Sequence, residues 1–149
     1  MLESINQISR LLLAGVLIFL LGLTAGCSSE QTLDEAQRNA LQQRVEQRWQ
    51  ALVHRDYEKA WEYNSPNYRA IFSKQLYAQK FSYAVEWELT SVEIVNYDGD
   101  AAVASVVVRV MSKPTKQTSA ASVALGATPV ELRERWIFTE GQWWFSSNY

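Results

Sequence analysis

Glu134 stands apart among the ionisable residues of this 149-residue chain because the residues two places to either side of it, Leu132 and Trp136, are aliphatic and aromatic. From Val130 to Phe138 the residues alternate, which puts Glu134 on the face of Leu132 and Trp136, the inward face. A carboxyl buried among apolar groups has its pKa raised and can serve as a general acid or base. The same position suits a carboxylate that pairs with an arginine or sits at a sheet margin. With Tyr57, Tyr68 or Tyr77 beside it, Glu134 would supply a small isomerase- or hydratase-like site. His54 is the single histidine, so a histidine-based metal cluster or a Ser-His-Asp triad has too little material. It falls at a helix end, where an imidazole meets the last free carbonyls. Arg133 and Arg135 share the opposite strand face, as solvated partners of glutamates or, alternatively, as an anion site. Six tryptophans and seven tyrosines imply an aromatic core. They also allow a cavity for a small apolar ligand, with Trp61, Tyr68, Trp87 and Trp136 as its candidate walls. The sequence has no glycine-rich phosphate loop, cysteine pair or histidine-rich motif, so neither a metal nor a cofactor is expected.

Fourteen basic and sixteen acidic residues give a net charge of −2. Without a basic excess there is no electrostatic footprint for a nucleic-acid partner. Residues 1–10 set Arg10 and the amino terminus against Glu3, and Leu11–Gly26 carries no charge. Small residues, Thr24-Ala25-Gly26, then lead to Cys27, the only cysteine. A weakly positive start, an apolar run and small residues at a cleavage point form a secretory signal. The apolar run falls short of the ~20 residues that span a bilayer comfortably, which disfavours the competing reading of a retained transmembrane anchor.

Leu23-Thr24-Ala25-Gly26-Cys27 resembles the lipobox of bacterial lipoproteins. The resemblance implies a diacylglyceryl group on the Cys27 thiol, cleavage before Cys27 and an acylated new N-terminus. Several acyl chains on one residue satisfy the need for at least two in stable anchoring. Ser28 and Ser29, in place of an aspartate, resemble lipoproteins sent on to the outer membrane, facing the periplasm. The expected organisation is a signal peptide over 1–26, a lipidated tether over 27–32 and one domain over 33–149. Removal of 1–26 takes away one acid, Glu3, and one base, Arg10, so the charge stays at −2. With Cys27 acylated no thiol is left for a disulfide, and the core must hold the fold unaided.

Within the domain, Thr32-Leu33-Asp34-Glu35 matches a capping box, the Thr32 hydroxyl serving as cap. Leu41, Val45, Trp49 and Leu52 make one stripe of a helix over about 33–54, with Gln42, Gln43, Arg44, Glu46, Gln47 and Arg48 expected on the solvated face. Asp56 caps a second helix with Tyr57, Ala60 and Trp61 inward, and Ser65-Pro66 opens a third with Tyr68, Ile71 and Phe72 as its apolar side. Helical spacing continues over 74–83 through Leu76, Tyr77, Lys80 and Phe81. The period then becomes two. Val85, Trp87 and Leu89 alternate with polar residues, and the apolar set shifts phase to Val92 and Ile94, as a bulge produces. Asp98-Gly99 predicts a hairpin with a type I′ turn. Ala101–Met111 is apolar on nearly both faces, the pattern of a central strand. Residues 112–128 read as a long loop, mobile in part. A third strand follows, then a Glu140-Gly141 turn and a last strand, Trp143-Trp144-Phe145. Helices followed by an antiparallel sheet of about four strands make an α+β domain.

That order is similar to the NTF2-like (nuclear transport factor 2-like) α+β cone, in which helices pack on a curved antiparallel sheet. The similarity lies in Asp56-Tyr57-Glu58-Lys59-Ala60-Trp61 ahead of Ser65-Pro66-Asn67-Tyr68-Arg69, in the strands flanking Asp98-Gly99-Asp100, and in Arg135-Trp136-Ile137-Phe138 through Glu140-Gly141-Gln142-Trp143-Trp144. The family places enzymes, binding domains and assembly factors on one scaffold, so the resemblance implies a fold and not a function. Its catalytic members carry paired acids, often with a tyrosine, deep in the cone, and no residues here match those positions. The expected function is a membrane-anchored envelope lipoprotein whose domain binds a protein partner or a small apolar ligand without catalysis. The alternative is the isomerase- or hydratase-like enzyme built on Glu134. A spacer or oligomerisation role is a third.

Overall fold

The computed structural model describes residues 32–81, 85–116 and 119–147. The signal segment, Cys27 and the tether up to residue 31 lie outside the described residues. The described part runs as four helices, two strands, a short helix and two strands: α1 (Glu35–Val53), α2 (Tyr57–Trp61), α3 (Pro66–Ile71), α4 (Lys74–Gln79), β1 (Val85–Asp98), β2 (Val103–Pro114), α5 (Ala120–Leu125), β3 (Thr128–Thr139) and β4 (Gln142–Phe145). The strands form one antiparallel sheet in the order β1-β2-β3-β4. The α+β class expected above is the class observed.

The stripe on α1 buries Leu41, Val45, Trp49 and Leu52 against the sheet, as its spacing predicts. Its cap differs from the expected one. Asp34 is the N-cap, and its side chain accepts from the Gln37 amide at 2.7 Å. An aspartate two residues closer to the apolar stripe outcompetes Thr32, which is exposed. At the other end, His54 caps the helix, with Nδ1 2.7 Å from the Gln50 carbonyl. Asp56 and Ser65 cap α2 and α3 as expected, and Pro66 opens α3. Ile71 is 65 % exposed and Leu76 50 % exposed, so neither belongs to the apolar face read from spacing. Each of these six-residue helices buries a single mid-helix side chain, Tyr68 in α3 and Tyr77 in α4. The helical pattern predicted up to 83 stops at Gln79, and residues 82–84 lie outside the described residues.

The sheet follows the period-two reading closely. β1 pairs with β2 with register shifts at Leu89/Ser91 and Ile94/Asn96, the first being the bulge that the phase change predicts. β2 is the central strand, with Ala104, Val106, Val107, Val108 and Val110 buried. Its outward Val107 lies between Glu93 and Arg133 in register, beside ion pairs of Arg109 with Glu93 (2.9 Å) and Glu131 (3.2 Å). Val107 is thus a buried valine on the face that carries these charges.

Two connections depart from expectation. Asp98 pairs with Val103 across four residues, and the left-handed residue is Ala102 (φ 52°) rather than Gly99. Asp98 Oδ1 accepts from the Ala101 amide, and that bond shapes the longer loop. The two-residue type I′ geometry occurs instead at Glu140-Gly141, with φ 54° and 75°, between paired Thr139 and Gln142. The stretch 112–128 contains the end of β2, the helix α5 and the start of β3, in place of one long loop.

The capping arrangement carries a measurable consequence. Asp34→Ala should lower stability by about 1 kcal/mol and Thr32→Ala by far less. Urea unfolding of the two variants checks this, and equal losses would restore Thr32 as the cap.

Candidate functional site

Glu134 is on the inward face and 7 % exposed. Its carboxylate accepts three hydrogen bonds. Arg48 donates to Oε1 at 2.7 Å, the Trp49 indole to the same oxygen at 2.9 Å, and the Trp136 indole to Oε2 at 2.9 Å. Arg48 is itself only 5 % exposed, and its guanidinium lies 3.8 Å from the centre of the Phe145 ring. A buried carboxylate is thus matched by one buried cation and two indole donors, which satisfies both oxygens. A cleft of about 230 Å³ has Glu134 in its lining together with Val95, Ser105, Arg133, Arg135 and Ser146.

This arrangement removes the support for a catalytic Glu134. That reading needs a tyrosine at the carboxylate, and the partners are Arg48, Trp49 and Trp136. Tyr57 stacks on Phe81 at 4.7 Å, Tyr68 takes a hydrogen bond from Lys80 at 2.9 Å, and the buried Tyr77 hydroxyl has no partner among the described residues. Glu134 realises the other reading of its position, the structural pair with an arginine.

The arginine was legible, although the helix pattern above assigns it to solvent. Arg48 lies seven residues after Leu41, three after Val45 and four before Leu52, which places it on the apolar stripe. An inward acid on the sheet calls for such an inward cation. Arg44, read as solvated by the same pattern, is half-buried one turn earlier.

The four candidate ligand-lining aromatics do not converge. Trp136 is fully buried in the core beside Glu134. Trp87 packs edge-on against Trp49 (5.6 Å) and Phe81 (6.0 Å), in a chain of rings that continues through Tyr77 to Tyr68. Trp61 is elsewhere, its indole donating to the Phe72 carbonyl at 2.7 Å. The interior is packed by these rings with Leu41, Val45 and the β2 valines. Arg133 and Arg135 are exposed, and Arg133 lies 3.6 Å from Glu131 on its own strand.

Two further clefts open on the helical side. One of about 690 Å³ runs between α1 and the first bulge of β1, walled by Gln43, Gln47, Gln50, His54 and residues 89–92. The other, about 540 Å³, lies among α1, α2, α3 and β4, with Arg44, Arg69, Lys59, Lys74, Glu62 and Trp144 around it. Sequence reasoning passed over this second group, whose members are scattered over a hundred residues and meet only in the fold. Hydrogen bonds from Lys59 and Lys74 hold the Glu62 carboxyl below the ordinary carboxylate range. Burial lowers the pKa of the Arg44 guanidinium, with Tyr63 opposing and the nearby Arg69 charge adding to the effect. Among the described residues no group of His, Cys, Asp and Glu could hold a metal ion.

Removing one member of a buried ion pair leaves an uncompensated charge, so Glu134→Gln and Arg48→Gln should each destabilise the domain by about 3–5 kcal/mol. The double variant should lose clearly less than the two losses added together. Urea unfolding of the three proteins reads the coupling, and strict additivity would mean that the two side chains do not act as a pair.

No protein-family profile and no curated protein sequence matches this chain. Among solved structures it is similar to a SEC-C motif containing protein from Rhodopseudomonas palustris, at 15 % identity over 67 % of this chain and 70 % of that one, with a TM-score of 0.39. That likeness is distant, and nothing about this chain's function follows from it.

Proposed function

We propose that this protein is a lipid-anchored envelope lipoprotein whose NTF2-like domain binds a protein partner without catalysis. The observation that carries the non-catalytic part is the saturation of Glu134. The single inward acid identified as a candidate catalyst has both oxygens taken by Arg48, Trp49 and Trp136. The interior around it is filled by Trp136, Trp143, Tyr68 and the valines of β2, which favours a protein partner on the outer surface over a small apolar ligand inside. One such surface is the glutamine-lined cleft between α1 and β1. Its glutamines, with Thr90 and Ser91, offer hydrogen bonds beside charges of both signs, Glu46, Asp56 and Lys59, which suits a polar, reversible contact.

The anchoring part rests on Leu23-Thr24-Ala25-Gly26-Cys27 at the end of an apolar run. No described helix is long and apolar enough to cross a membrane. Orientation toward the periplasm at the outer membrane follows from Ser28 and Ser29.

Two measurements test the two parts separately. The full chain, expressed in a bacterium and fed a clickable palmitate analogue, should take up label and sediment with membranes. Cys27→Ala should take up none and appear in the soluble fraction, whereas membrane association without label would discard the lipoprotein reading. A photo-cross-linking residue at Gln50 should yield one discrete adduct with an envelope protein. If positions in all three clefts yield none, the partner-binding reading falls.

A further inference from the structure

The cleft among α1, α2, α3 and β4 holds more positive charge than the residues around it neutralise. Four cations face it, Arg44, Lys59, Arg69 and Lys74, against one acid, Glu62. Glu62 is engaged by both lysines, Lys59 at 2.8 Å and Lys74 at 3.1 Å. Neither Arg44 nor Arg69 has a carboxylate partner among the described residues. The protein as a whole is acidic, so this is a local concentration of charge and not part of a basic surface.

The two arginines are also held in place without being used. Both guanidinium groups lie over the Trp144 ring, Arg44 at 5.0 Å and Arg69 at 4.6 Å from its centre. Arg44 also lies 5.0 Å from the Tyr63 ring and Arg69 5.6 Å from Trp61. Trp144 is buried, and its indole donates to the Thr139 carbonyl at 3.1 Å, so the platform under both charges is fixed. The Nε atom of each arginine is buried with no hydrogen-bond partner. Stacking on aromatic faces orders a guanidinium fork before any ligand arrives and lowers the entropy lost on binding. Two like charges brought onto one ring repel, and an anion between them would relieve that repulsion.

We propose that this cleft binds a phosphomonoester group, seated between Arg44 and Arg69 with the lysines at its rim. Charge and geometry select phosphate over carboxylate. A phosphomonoester carries about −1.5 to −2 charge and three strong acceptor oxygens, which matches two unpaired guanidinium forks. A single carboxylate has one charge and two oxygens, and would leave one fork unneutralised. At about 540 Å³ the cleft has room for the phosphate and a small attached group, and the Gln47 and Gln142 amides stand at its wall. The phosphate could belong to a free metabolite or to a lipid headgroup. The chemistry at Arg44 and Arg69 is the same for both, and the site does not depend on the lipidation of Cys27.

Titration calorimetry on the full chain in detergent tests the site with glycerol 3-phosphate, short-chain water-soluble phosphatidic acid and succinate. Saturable binding of one phosphate compound per chain is expected, weakened at least about tenfold in Arg44→Gln and in Arg69→Gln, as loss of a charge-assisted bond implies. Arg69→Lys keeps the charge without the fork and should fall between. Arg109→Gln, on the far face of the sheet, should bind as the unmodified protein does, and the thermal midpoint of each variant shows that it is folded. Tighter binding of the phosphatidic acid identifies a lipid headgroup as the source, and equal binding a soluble phosphate. The proposal is overturned if neither phosphate compound saturates at millimolar concentration, if succinate binds as tightly as phosphate, or if the folded arginine variants bind unchanged.

Discussion

The pairing of Arg48 with Glu134 is the constraint around which the rest of the domain is arranged. A carboxylate on the inward face of β3 cannot be left dry, because desolvating an unpaired charge costs more than most single contacts return. The fold supplies its partners from two directions, Arg48 and Trp49 from the helix and Trp136 from the same strand. Consecutive residues on α1 meet one carboxylate oxygen, so the helix is located both along its axis and in rotation. A slip of one turn or a small roll would take both Arg48 and the Trp49 indole away from the carboxylate. Replacement of such a pair by apolar residues is often neutral for stability, so its main effect here is to specify where the helix sits on the sheet.

The same pair also separates the structural interior from the surfaces available for binding. The core uses its one inward acid to hold itself together, and the arginine that balances it is covered by Phe145. One turn before Arg48, Arg44 leaves the core and points into the cleft of Trp144. A single flank of α1 therefore carries two arginines in opposite situations, one neutralised and one not.

The reading from sequence succeeded where periodicity is strong and local. The α1 stripe, the first bulge in β1, the central position of β2 and the inward side of Glu134 all follow from spacing. It failed where a residue's chemistry was allowed to outweigh its position. Its charge assigns Arg48 to solvent although its spacing places it on the stripe, and hydrophobicity takes Ile71 and Leu76 inward although their helices turn Tyr68 and Tyr77 to the core instead. The turn assignments show a further limit. Asp98-Gly99 and Glu140-Gly141 have similar claims on paper, and the register between distant strands decides which becomes the tight turn. Arg44, Arg69 and Trp144 lie far apart along the chain, and only the packing of three helices against the last strand brings them together.

The short segment Tyr63–Ser65 lies alongside β4, with Phe145 donating to the Tyr63 carbonyl at 2.8 Å and Ser65 to the Phe145 carbonyl at 3.1 Å. It occupies the backbone groups that a terminal strand would otherwise present to a neighbour. At the other margin, β1 departs from straight pairing twice and carries Glu86, Glu88 and Glu93 on its exposed side. Interrupted, charged margins resist the addition of a strand from another molecule. At these two margins the domain is therefore built to meet other molecules through side chains and not by the addition of a strand.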